Sequence, residues 1–332
     1  MENFKKVAVL GGGSFGTVLA NLAASNDYKV SLWVRDAEQA LRINSEGANT
    51  SYHPELKLSD NIQATEDLNE VMRDASIIFI ATPSIIFEQI MSRISELIDN
   101  NAYVISCTKG ILENPFRSMT DVIQNKIKND VGVLSGPNLA KEIAQNKIAG
   151  TVIASNNQDL IKLVKNTLSS KTFKIFSSND IQGVELGGAL KNIYAIGAGL
   201  CDGLNLGDNA KSSYITRALN EMVSIGRSLG GRKETFYGLS GFGDLIATCF
   251  GDWSRNRKFG ESLAKGVESN SIIQGQKTVV EGFVAVHCLY QIARRNNLET
   301  PILDELHSII YDNKAPLLAL NSLMERHLKT EF

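Results

Sequence analysis

Along the first half of the chain, short apolar runs alternate with stretches whose apolar residues recur at helical spacing. Val7-Ala8-Val9-Leu10, Lys29–Val34, Ser76–Pro83, Ala102–Cys107 and Val131–Asn138 read as strands, and Gly150–Ser155 and Phe173–Phe176, flanking a helix, extend the series. Runs of this kind, separated by helices, predict an open parallel sheet covered on both faces. From about Val184 the pattern changes. Tyr214–Leu229, Ser254–Ala264, Val280–Arg294 and Ile302–Tyr311 carry helical periodicity, with no strand of comparable quality among them. The expected architecture is α/β plus all-α, with a sheet domain over 1–180 and a helical domain over 181–332. A ligand is expected in the cleft between them.

The first strand runs straight into Gly11-Gly12-Gly13-Ser14-Phe15-Gly16 and then into a helix from Thr17. Strand, Gly-x-Gly-x-x-Gly, helix is the arrangement that cradles a dinucleotide pyrophosphate. Gly11 allows the tight turn, Gly13 a close backbone approach, and Gly16 the packing of helix on strand. The helix N-terminus adds unpaired N–H groups and partial positive charge. The sheet domain is therefore expected to be of Rossmann type. At the end of the second strand Arg35 precedes Asp36. An arginine there accommodates a 2′-phosphate and an acidic residue takes a 2′-hydroxyl, so NADP is favoured and NAD stays open.

The stretch Gly187-Gly-Ala-Leu-Lys-Asn-Ile-Tyr-Ala-Ile-Gly-Ala-Gly-Leu200 reads as a buried helix of small residues with Lys191 and Asn192 in its middle. Gly costs about 1 kcal/mol relative to Ala inside a helix, so four of them imply that another helix or a ligand approaches its backbone. A buried ammonium without a partner is expensive, which makes Lys191 the leading chemical candidate. Lys109 and the Gly136–Asn138 turn follow the carboxyl ends of strands, where open α/β sheets bind ligands. In Leu239–Thr248, Asp244 is compatible with a helix cap and with a carboxylate that orients the lysine or a substrate hydroxyl. Ser254-Arg255-Asn256-Arg257 joins arginine forks to a helix start, which suits a phosphate dianion. A solvated basic turn is the alternative.

Composition narrows the field. The chain has 332 residues, 43% hydrophobic and 21% charged, with a formal net charge of −2, so bulk charge gives no reason to expect nucleic-acid or membrane-surface binding. No apolar run has the length of a membrane span and no secretory-type apolar region follows Met1. Cys107, Cys201, Cys249 and Cys288 are scattered, and His53, His287, His307 and His327 show no metal-ligand spacing. Free thiols, no metal site and a cytoplasmic location are expected.

Taken in order, Gly11–Gly16, Cys107–Gly110, Ser135–Asn138, Gly188–Asn192, Gly243-Asp244 and Ser254–Arg257 resemble the motifs of the soluble, bacterial-type NAD(P)-dependent glycerol-3-phosphate dehydrogenases, over nearly the whole chain. The resemblance implies interconversion of dihydroxyacetone phosphate and sn-glycerol 3-phosphate, a step that feeds glycerophospholipid synthesis. By the same resemblance Lys191 matches the proton donor and acceptor, and Lys109, Asp244, Asn192 and Thr248 match the polar groups about the reacting carbon. Lys109, Gly136, Asn138, Lys191, Asp244, Ser254, Arg255 and Asn256 match substrate contacts. Gly11, Gly13, Ser14, Phe15, Gly16, Arg35, Lys109, Ala140, Arg255, Val279 and Glu281 match cofactor contacts. Asn138 stands where many relatives have Ser or Thr, and Phe15 where many have Trp. The rival readings are a β-hydroxyacid dehydrogenase, which takes a carboxylate substrate, and a non-catalytic nicotinamide sensor. A homodimer is the default assembly for such a fold.

Overall fold

The computed structural model describes residues 6–112, 116–275 and 279–325. The outer ends of both expected domains, and His327, lie outside the described residues. Strands β1 (Lys6–Leu10), β2 (Lys29–Trp33), β3 (Ile62–Thr65), β4 (Ala75–Ile80) and β5 (Tyr103–Ser106) are followed by an antiparallel pair of two-residue strands, β6 (Ile111–Leu112) and β7 (Arg117–Ser118). Then come β8 (Val131–Ser135), β9 (Ala149–Ser155) and β10 (Phe173–Ser178). Eight strands form one sheet in the order β10-β9-β8-β5-β4-β1-β2-β3. Helices α1 (Ser14–Ser25), α2 (Ala37–Glu46), α3 (Leu68–Met72), α4 (Ser84–Ile94), α5 (Met119–Gln124), α6 (Ala140–Ala144) and α7 (Gln158–Leu168) connect the strands. The two apolar faces of the sheet bury separate clusters, one built around Val9, Leu19 and Phe79 and the other around Leu10, Ile78 and Phe87.

The sheet departs from the parallel expectation at one place. β8 and β9 pair antiparallel, with Ser135 opposite Val152, while the other strand pairs of this sheet run parallel. β9 starts at the end of the sheet where β8 finishes, so the 136–148 segment, with the five-residue α6, stays at the carboxyl edge of the central strands. β3 escaped the sequence pattern because Ile62-Gln-Ala-Thr65 is too short and too polar to stand out.

Helices α8 (Ile181–Gly203), α9 (Gly207–Ser228) and α10 (Lys233–Tyr237) open the second half, and a π-helical turn, Leu239–Gly243, leads into α11 (Asp244–Phe250). They are followed by α12 (Arg255–Ala264), α13 (Ser269–Gln274), α14 (Glu281–Arg295), α15 (Pro301–Tyr311) and α16 (Pro316–Met324). The four expected helices are α9, α12, α14 and α15. α9 starts a turn and a half or more before its expected boundary because Asp208-Asn-Ala-Lys-Ser-Ser213 carries almost no apolar signal. Among the described residues no helix is long and apolar enough to cross a membrane, and none of the four cysteines is in a disulfide.

α8 is the axis of this half. Every residue from Gly183 to Cys201 is buried, so the helix has no solvent face and no amphipathic stripe. Its glycines are explained by neighbours rather than by a ligand. A Cβ at Gly199 would overlap the Arg257 carbonyl, and a Cβ at Gly260 on α12 would overlap the Ile196 carbonyl, so the two backbones cross in direct contact. At Gly187 the backbone of the π-helical turn takes the same space, and at Gly197 the Tyr214 hydroxyl does. Overfilling such a crossing costs about 1–3 kcal/mol or more. Gly260→Val is expected to lower the melting temperature and destabilise the fold by at least that amount in a denaturant titration. An unchanged transition would mean that the crossing is looser than its glycines require.

Candidate active site

The loop after β1 has the geometry that its glycines allow. Gly11 has φ +120° and lies against the Ala81 carbonyl, and Gly16 packs on the Gly11 carbonyl, so neither tolerates a side chain. Gly13 caps α1 and faces open space. Phe15 and Ala140 pack, half-buried, on the apolar layer beneath this loop and α1. After β2, Arg35 is exposed, whereas the Asp36 carboxylate accepts the Glu38 N–H at 2.9 Å as the N-cap of α2. The acidic residue thus has a structural task that the arginine lacks.

The lysine in the buried helix has partners. Lys191, 7% exposed, donates from Nζ to Thr248 Oγ1 at 2.6 Å and lies 3.1 Å from Asp244 Oδ1. The other oxygen of Asp244 holds the Lys109 ammonium, which also donates to the Gly136 carbonyl at 2.8 Å. Thr248, one helical turn beyond Asp244, donates its hydroxyl to the Asp244 carbonyl at 2.7 Å. Asp244 itself is 1% exposed and bridges two ammoniums. The cap alternative is not realised, because α11 continues from the π-helical turn without a side-chain cap and leaves the carboxylate free for the lysines. Burial is the main force lowering the Lys191 pKa, to about 8. Lys109 pushes the same way and Asp244 opposes both.

A second set of contacts surrounds this core. Asn256 Nδ2 donates to Asn192 Oδ1 at 2.8 Å and the Gly282 N–H donates to Asn256 Oδ1 at 3.0 Å, tying α8, α12 and the start of α14 together. Ser254 caps α12 by accepting the Arg257 N–H at 3.2 Å. Arg255 is exposed and donates to the Val279 carbonyl at 2.8 Å. Arg257 turns away to Asp202 and Glu261, so only one of the two arginines faces the candidate phosphate region. Glu281 accepts both the N–H and the hydroxyl of Ser84, at 3.1 and 2.5 Å, where β4 gives way to α4. Arg255, Val279 and Glu281 therefore meet at the carboxyl edge of the sheet. Asn138 donates to Thr151 Oγ1 at 3.0 Å, and its own Oδ1 is buried without a partner.

Two participants were not singled out from the sequence. Ser84 became visible only through its bonds to Glu281, nearly two hundred residues away. The Ser135 hydroxyl is buried, unpartnered and pressed with the Lys109 stem against Gly188, where a Cβ would displace both. Its place inside Ser135–Asn138 was the available signal.

Known proteins resemble this chain along most of its length. The family profile described as NAD-dependent glycerol-3-phosphate dehydrogenase N-terminus matches residues 6–161, and the corresponding C-terminus profile matches residues 180–321. A glycerol-3-phosphate dehydrogenase [NAD(P)+] of Teredinibacter turnerae is 40% identical over 98% of this chain and 96% of its own length. One of Acinetobacter baylyi is 42% identical over 96% of this chain and 90% of its own. Among solved structures, the glycerol-3-phosphate dehydrogenase of Coxiella burnetii superposes with a TM-score of 0.93 at 35% identity, covering 98% of this chain and all of that one. A ketopantoate reductase of Ralstonia eutropha, at 13% identity and a TM-score of 0.59, shares the fold alone. Matched by both profiles along most of its length, the chain belongs to the NAD-dependent glycerol-3-phosphate dehydrogenase family.

Proposed function

We propose that this chain reversibly reduces dihydroxyacetone phosphate to sn-glycerol 3-phosphate with NAD(P)H, using Lys191 as the proton donor and acceptor. The single observation that carries the reading is the buried carboxylate of Asp244 shared by Lys191 and Lys109. Two ammoniums on one carboxylate leave a net positive charge in a confined space. That is the environment an oxyanion developing on a ketone requires.

The residues fit a nicotinamide dinucleotide. Gly13 leaves its backbone open beside the start of α1, and Gly11 and Gly16 admit no side chain that would crowd the loop. A bound reduced nicotinamide supplies the hydride to the ketone carbon. Lys191, with a pKa near 8, can give its proton to the carbonyl oxygen at neutral pH and take it back in the reverse direction. Thr248 and Asp244 fix the direction of the ammonium, and Lys109 adds positive charge from the sheet side. Arg255, with Ser254 and Asn256 at the start of α12, would hold the phosphate and so align the ketone. Of these, the Asn256 amide is already engaged with Asn192 and Gly282, which gives it a positioning part. The phosphate-directed arginine is what favours this substrate over a 3-hydroxy acid. A homodimer, the default symmetry for such folds, and a cytoplasmic setting, supported by the four free cysteines, belong to the same reading.

The test is oxidation of NADPH or NADH with dihydroxyacetone phosphate as substrate and 3-hydroxyisobutyrate, assayed by cofactor reduction, as the competing one. Lys191→Ala is expected to cut kcat by about 10²–10⁴ while the variant still binds cofactor. Retained turnover would remove the lysine from the chemistry.

The pH profile gives an independent check. Ketone reduction needs the ammonium, so its rate falls as pH rises through about 8, whereas glycerol 3-phosphate oxidation rises over the same window. Lys109→Met removes a charge that lowers the Lys191 pKa and should move this limb to higher pH. Asp244→Asn removes one that raises it and should move the limb lower. Shifts of the opposite sign would break the electrostatic assignment.

We also propose that NADP is the preferred cofactor, supported by the exposed Arg35 and the engaged Asp36. Arg35→Ala should raise KM for NADPH roughly tenfold, the worth of one charge-assisted bond, and leave KM for NADH nearly unchanged. Equal effects on the two cofactors would count against a 2′-phosphate contact.

A further inference from the structure

Behind the Gly11–Gly16 loop runs the segment that joins α2 to β3, and it carries His53, which is 5% exposed. The imidazole Nε2 lies 2.9 Å from the Ser14 carbonyl oxygen and 2.9 Å from the Ser14 hydroxyl oxygen. A carbonyl can only accept, so the hydrogen of this contact must sit on Nε2. That holds for the neutral ring and for the protonated ring alike. Burial, helped by Lys141, keeps the imidazole pKa below its usual value, against a smaller opposite pull from the Ser14 backbone. The neutral Nε2–H tautomer is therefore the form present at neutral pH.

One N–H directed at both oxygens makes Ser14 Oγ a second acceptor. The hydroxyl's own proton is then left for a different acceptor. Ser14 is the first residue of α1 and is partly exposed, next to the open face of Gly13. The neighbouring carbonyls are occupied in the same way. The Gly12 carbonyl accepts from Gln39 Nε2 at 2.9 Å and from Asn49 Nδ2 at 3.0 Å. The Gly13 carbonyl accepts from the Thr17 N–H at 3.0 Å and the Thr17 hydroxyl at 2.8 Å. Asn49, 1% exposed, also donates to Thr17 Oγ1 at 2.8 Å. Three successive carbonyls, any of which would repel a phosphate if turned outward, are thus held by donors of the protein itself.

We propose that His53 is a positioning residue of the cofactor site, and that its Nε2–H, given from behind the loop, keeps the Ser14 hydroxyl aimed as a donor at the pyrophosphate of the dinucleotide. The inference rests on the cofactor reading above and adds a residue to it. His53 touches no reacting atom. Its effect belongs to cofactor affinity, not to the hydride or proton steps.

The experiment compares His53→Leu, His53→Gln, Ser14→Ala and the double variant Ser14→Ala/His53→Leu with the wild-type chain, measuring Kd for NADPH, kcat, and KM for dihydroxyacetone phosphate. His53→Leu should weaken NADPH binding roughly tenfold, with kcat at saturating cofactor and substrate KM within about twofold of wild type. His53→Gln, whose amide can donate to the same oxygens, should recover most of the loss. The double variant should bind no worse than Ser14→Ala, because both changes remove one contact. His53→Met replaces the Leu variant should that one not fold. Unchanged Kd in the Leu or Met variant beside a weakened Ser14→Ala overturns the role of His53, as do losses that multiply in the double variant or a Gln variant as weak as Leu. A wild-type chain that does not bind NADPH at all overturns the cofactor reading itself, and His53 falls with it.

Discussion

The Asp244 carboxylate is the constraint on which the rest of this site depends. Two lysines reach it from different parts of the chain, Lys191 from the centre of α8 and Lys109 from just beyond β5, and for the buried Lys191 the carboxylate offsets part of the cost of burying a charge. Removing one partner from a buried pair usually costs far more than the pair contributes. Here one anion serves two cations, so the compensation is incomplete by design of the charges. Burial depresses the Lys191 pKa, and the second ammonium adds to that while Asp244 only partly opposes it. For Lys191 the two charges act against each other, Asp244 raising its pKa and Lys109 lowering it.

Such a balance works only if the three groups cannot drift, and the helical half is built for that. α8 crosses α12 at glycines with backbone touching backbone, and the Asn192–Asn256–Gly282 chain pins the same helices with directional bonds. Two further buried carboxylates anchor α8 along its length. Glu185 accepts from the N–H and hydroxyl of Thr120, while Glu221 accepts the Tyr194 hydroxyl together with the N–H groups of Ile302 and Leu303. Burial raises both carboxyl groups to about 7, so each sits close to neutrality inside a ring of donors. Close packing and saturated polar groups hold Lys191 more firmly than a surface side chain could be held.

The parts that were legible in the sequence were those whose cause is local. Gly11, Gly13 and Gly16 announce their loop because a tight turn needs them within six residues, and the apolar runs announce their strands for the same kind of reason. Lys191 stood out because small apolar neighbours leave a lysine no route to water. What stayed ambiguous was decided by tertiary contacts. Asp244 reads equally as a cap until Lys109 arrives from 135 residues away. The direction of β9 shows only in its pairing with β8, which an apolar run does not encode. Asn49 and His53 sit in a loop without periodicity, and the bonds they make to Gly12 and Ser14 leave no trace in the order of residues.

The site is completed across the two halves of the chain, and this bears on how it could operate. Val133, Val152 and Ala154 of the sheet bury a shared apolar cluster with Val184 near the start of α8. The Lys141 ammonium lies 3.6 Å from the centre of the Trp253 ring, and Glu281 holds both donors of Ser84, so α6 and α4 are tied to the helical half at two more places. A hinge between halves so joined would have to break a buried ion pair, an apolar seam and two polar clasps together. Closure by swinging one half against the other is therefore a costly way to assemble the charges. A preformed arrangement, with the field of the two ammoniums already directed into the cleft, needs no such reorganisation when substrate enters. The energy of ordering Lys191, Asp244 and Lys109 is then spent once, in folding, and the catalytic geometry inherits the rigidity of α8.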